Sequence, residues 1–479
     1  MAMRATPIDF IDGARAVPSI LLDDWIYSPN TGERLQQQRA SAPHEVERAL
    51  AAADRAFPAW SCSPIETRLA AMEAMAAHMA SRLSEIAELE SSTTGVTIRF
   101  TRFVSVICHL AFRAAAGMLR DRAANPGALP GKHGAVEVLR LPLGPAALIV
   151  PWNAPAPLAA HKIANALAAG CVAILKPSEA APLACDLFAD AAEAAGLPAG
   201  VFQIVHGRGD VGARLVADPR IKAVSFTGGL RGGRAVAAAC AADFKPAQLE
   251  LGGNNPMIVR SDADLDLAAQ GVVDGLITLN GQWCRALGRL LAHASIKAPL
   301  MDRVWARLAN VRLTNSLSPE ADMGPIVHAN HLALLRRQIG DLVARGGVAT
   351  SVTPLPDLPG FFLAPTLIDG CRPEDTLEEI FGPVAAVHTF DTDAQAIGLA
   401  NQAPYGLAGY VFSADETRAR AIGREIRAGD IKINGVSLVG LHPLAPRPAW
   451  GLSGIGAEGT HETFDFFQGT RTVGVAGGA

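Results

Sequence analysis

The sequence predicts an α/β protein built on a doubly wound parallel sheet, with a second α/β region and a small β element attached. Three observations carry that prediction. Short β-type runs AALIV (146–150), CVAIL (171–175), VFQIV (201–205), AVSF (223–226) and AQLEL (247–251) recur every 22–30 residues. The gaps hold helical stretches such as PLAAHKIANALAAG (157–170) and APLACDLFADAAEAAG (181–196), and alternation at that pitch builds parallel sheets. The motifs PWN (151–153), KPSE (176–179), FTGG (226–229) and LELGG (249–253) all fall at the carboxyl ends of these runs, where such sheets bind ligands.

The remaining elements follow in order. Residues 44–90 carry two Ala/Leu/Met-rich helical patterns parted by FPAWSCSP (57–64), expected to cover a sheet. Turn residues NPGALPGKHG (125–134) lead into VEVLRLPLGP (136–145), a β-rich stretch. A second α/β region runs from about 252 to 451, and the chain ends in FFQGTRTVGVAGG, strand-like before its Gly-rich tail. The two outlying β segments are exposed strands in need of a partner.

At 479 residues the chain is too long for a single core, so two or three domains are expected. Apolar residues make up 49% and charged residues 18%, the balance of a soluble globular enzyme. The net charge of −4 argues against nucleic acid, which calls for a basic face. MAMRATPIDF lacks a long apolar core, so no secretory signal is expected. Charges interrupt the Ala-rich runs, so no membrane span is expected either. Seven dispersed cysteines (62, 108, 171, 185, 240, 284 and 371) suggest a reducing, cytoplasmic setting. VHANH (327–331) pairs two histidines without a neighbouring Glu or Cys, so no metal is expected.

Glu250 in LELGGNNP (249–256) and Cys284 in NGQWCRALGR (280–289) are the most informative residues. A thiolate attacks carbonyl carbon, and a nearby carboxylate can later activate water against the resulting thioester. A lone cysteine is ordinarily a small buried hydrophobe; the surrounding motifs reverse that prior. The run RALGRLLAH after Cys284 reads as a helix whose N-terminus would lower the thiol pKa.

PWN, KPSE, FTGG, LELGG, GQWC (281–284), EEIFGPV (378–384) and NQAPYGLAGYVF (401–412) together resemble the aldehyde dehydrogenase superfamily in order and spacing. The resemblance covers nearly the full chain and implies that superfamily's fold. It implies a cofactor domain at 1–119 and 143–251, a catalytic domain at 252–460, and an oligomerisation element at 120–142 and 461–479. A homodimer or homotetramer acting on a small aldehyde is then expected. Cys284 is the implied nucleophile, Glu250 the base for hydrolysis, and Asn153 with the Cys284 N–H the oxyanion donors. Relatives that pass the acyl group to coenzyme A generally lack the carboxylate, so a hydrolytic enzyme is preferred over an acylating one. A non-catalytic protein of the same fold is the other alternative, disfavoured because Cys284, Glu250 and Asn153 are all present.

The resemblance also implies a dinucleotide site built from Trp152, Lys176, Glu179, Gly209, Phe226, Gly228, Gly229, Leu251, Glu379 and Phe381. Glu179 would accept from ribose hydroxyls and repel a 2′-phosphate, favouring NAD over NADP. FTGG would offer backbone N–H groups at a helix start to a pyrophosphate. HGRGDVG matches G-x-G-x-x-G at Gly207, Gly209 and Gly212 but lacks the acidic residue about 20 positions on, so it reads as a tight turn near the adenine. Three departures stand out: Gly229 where the family often has Ser, Asn254 where Lys is common, and PRPAWGLSG (446–454) where two glycines and a lysine are lost. For the substrate, Trp283 is implied, with His161 and Arg447 at places often aromatic. Two polar, potentially cationic groups there suggest an aldehyde bearing a distal carboxylate or hydroxyl.

Overall fold

The structure is a computed structural model that describes residues 6–125 and 127–477. The first five residues of MAMRATPIDF, Pro126 of the turn segment and the last two residues of the Gly-rich tail lie outside them.

The first sheet has eight strands. Its parallel centre runs, in spatial order, Phe202–Ile204, Ala173–Lys176, Ala146–Ile149, Ala223–Thr227 and Ala247–Glu250. All five predicted strands are therefore present, and every residue in them but Ala247 is buried. Burial on both faces explains why they read as continuous apolar runs without alternation. The winding direction reverses between Ala146–Ile149 and Ala223–Thr227, so a crevice opens beyond those two strand ends. Antiparallel strands Asp9–Ile11 and Gly454–Ile455 flank the centre.

A second sheet of seven strands follows, in the order Val348–Thr350, Thr366–Asp369, Val384–Phe390, Leu287–His293, Asn255–Val259, Ala408–Phe412 and Asp430–Ile433. The chain passes from Glu250 in the first sheet to Asn255 in the second through four residues only, Leu251–Asn254. LELGGNNP is thus the direct seam between the two sheets, which puts Glu250 between them.

Two expectations are corrected here. RALGRLLAH contains a buried parallel strand, Leu287–His293, and not a helix. The N-terminal region holds three helices, Pro43–Ser61, Ile65–Ser81 and Leu83–Thr94; the first runs through Pro58, so the break comes only at 62–64.

The helix Pro155–Ala169 is buried over almost its whole circumference, as its Ala-rich composition requires between a sheet and neighbouring helices. Residues 98–124, the two helices Ile98–Ser105 and Ile107–Ala124, are together long and apolar enough to cross a membrane by length and composition only, as core helices also are. Cys108, Phe112, Ala115 and Leu119 pack into the core, while Phe103, Ile107 and Leu110 turn outward onto a cavity.

Strands Gly127–Gly131, Gly134–Pro142 and Gln468–Val473 form a separate antiparallel sheet. None of its residues is fully buried.

Candidate active site

Cys284 ends a loop whose backbone is forced into an unusual shape. Leu279, Asn280 and Gly281 all have positive φ, at 49°, 57° and 71°, a costly run that must be held from outside. Asn280 holds it: Nδ2 donates to the Gly95 and Pro325 carbonyls at 2.7 and 3.0 Å, and Oδ1 accepts from the Gly324 N–H at 2.9 Å. Beyond the nucleophile, Asn255 Nδ2 donates to the Cys284 and Ala286 carbonyls at 2.9 and 2.8 Å. A Cβ on Gly253 would lie 2.6 Å from Asn255 Oδ1 and 2.9 Å from the Cys284 carbonyl oxygen. The glycine is therefore needed for the seam to pass beneath the cysteine loop.

The Cys284 thiol and the Glu250 carboxyl line the same cavity and lie close enough to shift each other's proton affinity. Asn153 joins them from the end of strand Ala146–Ile149, its Nδ2 donating to the Gln282 carbonyl at 2.9 Å. Cys284, Glu250 and Asn153 line one cavity of about 640 Å³.

The electrostatics differ from expectation. Burial, with the adjacent Glu250, pushes the Cys284 thiol well up, and the Arg285 guanidinium works against that rise. The expected helix terminus is absent, because a strand follows. Burial and then Glu458 push Glu250 up, opposed by Arg285. Glu458 itself is held down despite its burial, chiefly by Lys162, then by His161 and Arg447. Lys162 Nζ sits 2.9 Å from Glu458 Oε1 and 2.8 Å from Ser225 Oγ.

On another wall stand Trp152, Gly228, Gly229, Leu251, Glu379 and Phe381. Phe381 packs edge-on against Trp152, with ring centroids 5.6 Å apart, and its carbonyl accepts from His331 Nε2 at 2.7 Å. Glu379 accepts from the Gly253 N–H at 2.8 Å, and burial pushes its carboxyl up to about 7. The helix Leu230–Ala242 starts at Gly229 without a side-chain cap, and the space where a Cβ would stand is open. Thr227 Oγ1 is buried without a partner among the described residues. Free N–H groups at a helix start, open space and an unpartnered hydroxyl fit a dinucleotide phosphate.

Other sequence-predicted residues lie elsewhere. Phe226 does not reach the cavity; its ring lies under the Gly228–Gly232 turn. Lys176 and Glu179 are 3.7 Å apart, and Glu179 borders a second hollow of about 310 Å³. Gly209 opens the helix Gly209–Ala217. Asn254 donates to the Thr376 carbonyl at 2.8 Å, a structural tie. Trp283 and Arg447 line the main cavity, but His161 does not. Its Nε2 meets Thr463 Oγ1 at 2.9 Å, and burial pushes the ring down to about 4, so it is neutral near pH 7. Leu158, one turn earlier on the same helix, faces the cavity instead. Sequence reasoning missed Arg285, Lys162, Glu458 and His331. Arg285 could have been found as the neighbour of Cys284; Glu458 had no local signal, since strand pairing opposite Arg447 brings it in.

The seam between the two sheets brings the thiol, carboxyl and amide of Cys284, Glu250 and Asn153 to one cavity. A profile of the Aldehyde dehydrogenase family matches residues 25–473. Aminoaldehyde dehydrogenase 2, peroxisomal, of Malus domestica is 35% identical over 89% of this chain and 87% of that protein. Betaine aldehyde dehydrogenase, chloroplastic, of Beta vulgaris is 34% identical over 89% and 88%. The crystal structure of betaine aldehyde dehydrogenase from Staphylococcus aureus in complex with NAD+ matches with a TM-score of 0.92 at 30% identity, covering 98% of this chain and 95% of that one. The chain belongs to the aldehyde dehydrogenase family, and it is an oxidoreductase acting on aldehyde groups.

Proposed function

We propose that this enzyme oxidises an aldehyde to a carboxylic acid, with NAD as hydride acceptor. The observation that carries this reading is the Cys284 thiol, the Glu250 carboxyl and the Asn153 amide brought together on the wall of one cavity. Cys284 releases its proton to solvent and attacks the carbonyl carbon as the thiolate, giving a thiohemiacetal whose oxygen carries the charge. The oxygen's charge is taken up by the Asn153 amide and the Cys284 N–H. NAD, when bound, supplies the hydride acceptor that turns this adduct into a thioester. Trp152, Gly228, Gly229, Leu251, Glu379 and Phe381 would hold the cofactor, with Lys176, Glu179 and Gly209 toward its adenosine end. Phe226 supports the turn from below. Glu250 then takes a proton from water, which attacks the thioester and frees the acid.

Glu250 supports hydrolysis over transfer to coenzyme A, and the complete constellation supports catalysis over a binding role. Glu179 supports NAD over NADP, since a carboxylate repels a 2′-phosphate. The two large sheets support a cofactor domain at 1–119 and 143–251 and a catalytic domain at 252–460. The exposed three-stranded sheet, with 120–142 and 461–479, supports assembly into a homodimer or homotetramer. Seven unpaired cysteines support a reducing compartment such as the cytoplasm.

Substitution Cys284→Ala tests the reading. NADH formation from any aldehyde should vanish while NAD still quenches tryptophan fluorescence. Residual turnover near the parent rate would overturn the nucleophile.

A further inference from the structure

The substrate side of the cavity has a composition that the matched relatives' names do not suggest. Phe103, Ile107 and Leu110 lie along one face of the 98–124 stretch and are 53%, 37% and 47% exposed. Leu438 and Val439, from the segment between Asn434 and Pro446, line the same cavity, and Val439 is 58% exposed. Large apolar side chains at this exposure cost free energy in an isolated protein, and a contiguous set lining a cavity is the usual form of a ligand site. Deeper in, Leu158, Leu279 and Trp283 continue the apolar lining toward Cys284.

The charges on the wall are equally specific. Its carboxylates are Glu250, Glu379 and Glu458. Glu250 faces the thiol, Glu379 is held by the Gly253 N–H, and Glu458 is paired to Lys162. No carboxylate on the wall is left for an ammonium group. Two guanidinium groups, Arg285 and Arg447, are present instead. Arg285 is 3.2 Å from Asp430, and Arg447 stands opposite Glu458 across a short antiparallel pair. Quaternary and primary ammonium groups are bound by aromatic faces and carboxylates. Here the substrate-side lining is mainly aliphatic, Phe103 and Trp283 apart, and the remaining charges on the wall are two arginines, which repel an ammonium group.

We propose that this enzyme takes neutral aldehydes with an apolar body, aliphatic or aryl, and discriminates against cationic aldehydes such as betaine aldehyde and aminoaldehydes. The inference rests on the proposed aldehyde oxidation and names the substrate class of that same site. Arg285 is taken up by Asp430, and a charged tail of either sign would enter a largely apolar cavity, so neutral bodies are favoured.

The test measures kcat/KM with NAD for propanal, hexanal, octanal, benzaldehyde, betaine aldehyde, 3-aminopropanal and succinic semialdehyde. Among the alkanals it should rise about fourfold per methylene, as for burial of a CH₂ group, until the cavity is filled. Betaine aldehyde and succinic semialdehyde should fall about a hundredfold or more below octanal, in keeping with the cost of an unpaired charge in an apolar site. Ile107→Ser and Val439→Ser change exposed residues, so folding should survive; each should lower the octanal-to-propanal ratio about fivefold. A flat alkanal series, a charged aldehyde as best substrate, or an unchanged ratio in both variants would overturn the inference. If betaine aldehyde is best and its oxidation needs Cys284, the proposed reaction stands and only the substrate class fails. If no aldehyde gives Cys284-dependent NADH, both fail.

Discussion

Lys162 and Glu458 form an ion pair of 2.9 Å with side chains only 1% and 8% exposed, and this pair sits behind the Glu250 carboxyl. Lys162 comes from the helix after Asn153, and Glu458 from the strand opposite Arg447. Burial and the Glu458 charge keep the proton affinity of Glu250 high, as a general base requires, while Lys162 tempers the rise. Removing one partner should leave a buried charge uncompensated, at a cost of about 3–5 kcal/mol. Lys162→Met should therefore lower Tm by several degrees, and Lys162→Met with Glu458→Gln should recover part of the loss in calorimetry. A double variant no more stable than the single one would contradict the pairing.

The state of the thiol gives a pH test. Burial and Glu250 raise the Cys284 pKa in the folded enzyme, so the thiolate is scarce at neutral pH and grows as pH rises. Alkylation of Cys284 by iodoacetamide should be slower at pH 7 than for a free cysteine and should climb well beyond pH 9. Glu250→Gln removes the neighbouring negative charge and should shift the profile to lower pH. Arg285→Met removes an opposing positive charge and should shift it higher. Superimposable profiles for all three proteins would refute this electrostatic reading.

The seam glycine should be as sensitive as a catalytic residue. Gly253→Ala places a methyl 2.6 Å from Asn255 Oδ1 and 2.9 Å from the Cys284 carbonyl. Displacing the nucleophile by an ångström can cost about a hundredfold in kcat. The KM for NAD should change less than fivefold, roughly 1 kcal/mol. Equal kcat in variant and parent would show that the loop tolerates the side chain.

Glu179 should set the cofactor preference. The parent enzyme should favour NAD over NADP in kcat/KM, and Glu179→Ser should narrow the difference by about tenfold, near 1.4 kcal/mol. Better use of NADP by the parent would refute the role.

Much of this was legible in the sequence, for local reasons. The first sheet declares itself in short apolar runs that end in motifs, and Glu250 lies where one run meets two glycines. What escaped was governed by long-range packing. Leu287–His293 carries leucines at 287, 290 and 291, a helical spacing, yet it is a strand buried on both faces, which erases alternation. His161 looked cationic by residue type, but burial holds its ring neutral near pH 7. Glu458 and Arg447 are eleven residues apart and face each other only because the chain folds back between them. The apolar face at Phe103, Ile107 and Leu110 was invisible until the opposite wall was in place.

The most direct test of the proposed chemistry is rapid mixing of Glu250→Gln with excess NAD and aldehyde, followed by intact-mass measurement. A burst of about one NADH per active site, then turnover slowed about a hundredfold or more, with the acyl group covalently retained on Cys284, is the expected result. Steady turnover at the parent rate with no acyl adduct would contradict Glu250 as the hydrolytic base and, with it, the thiol–carboxyl pair as the engine of this site.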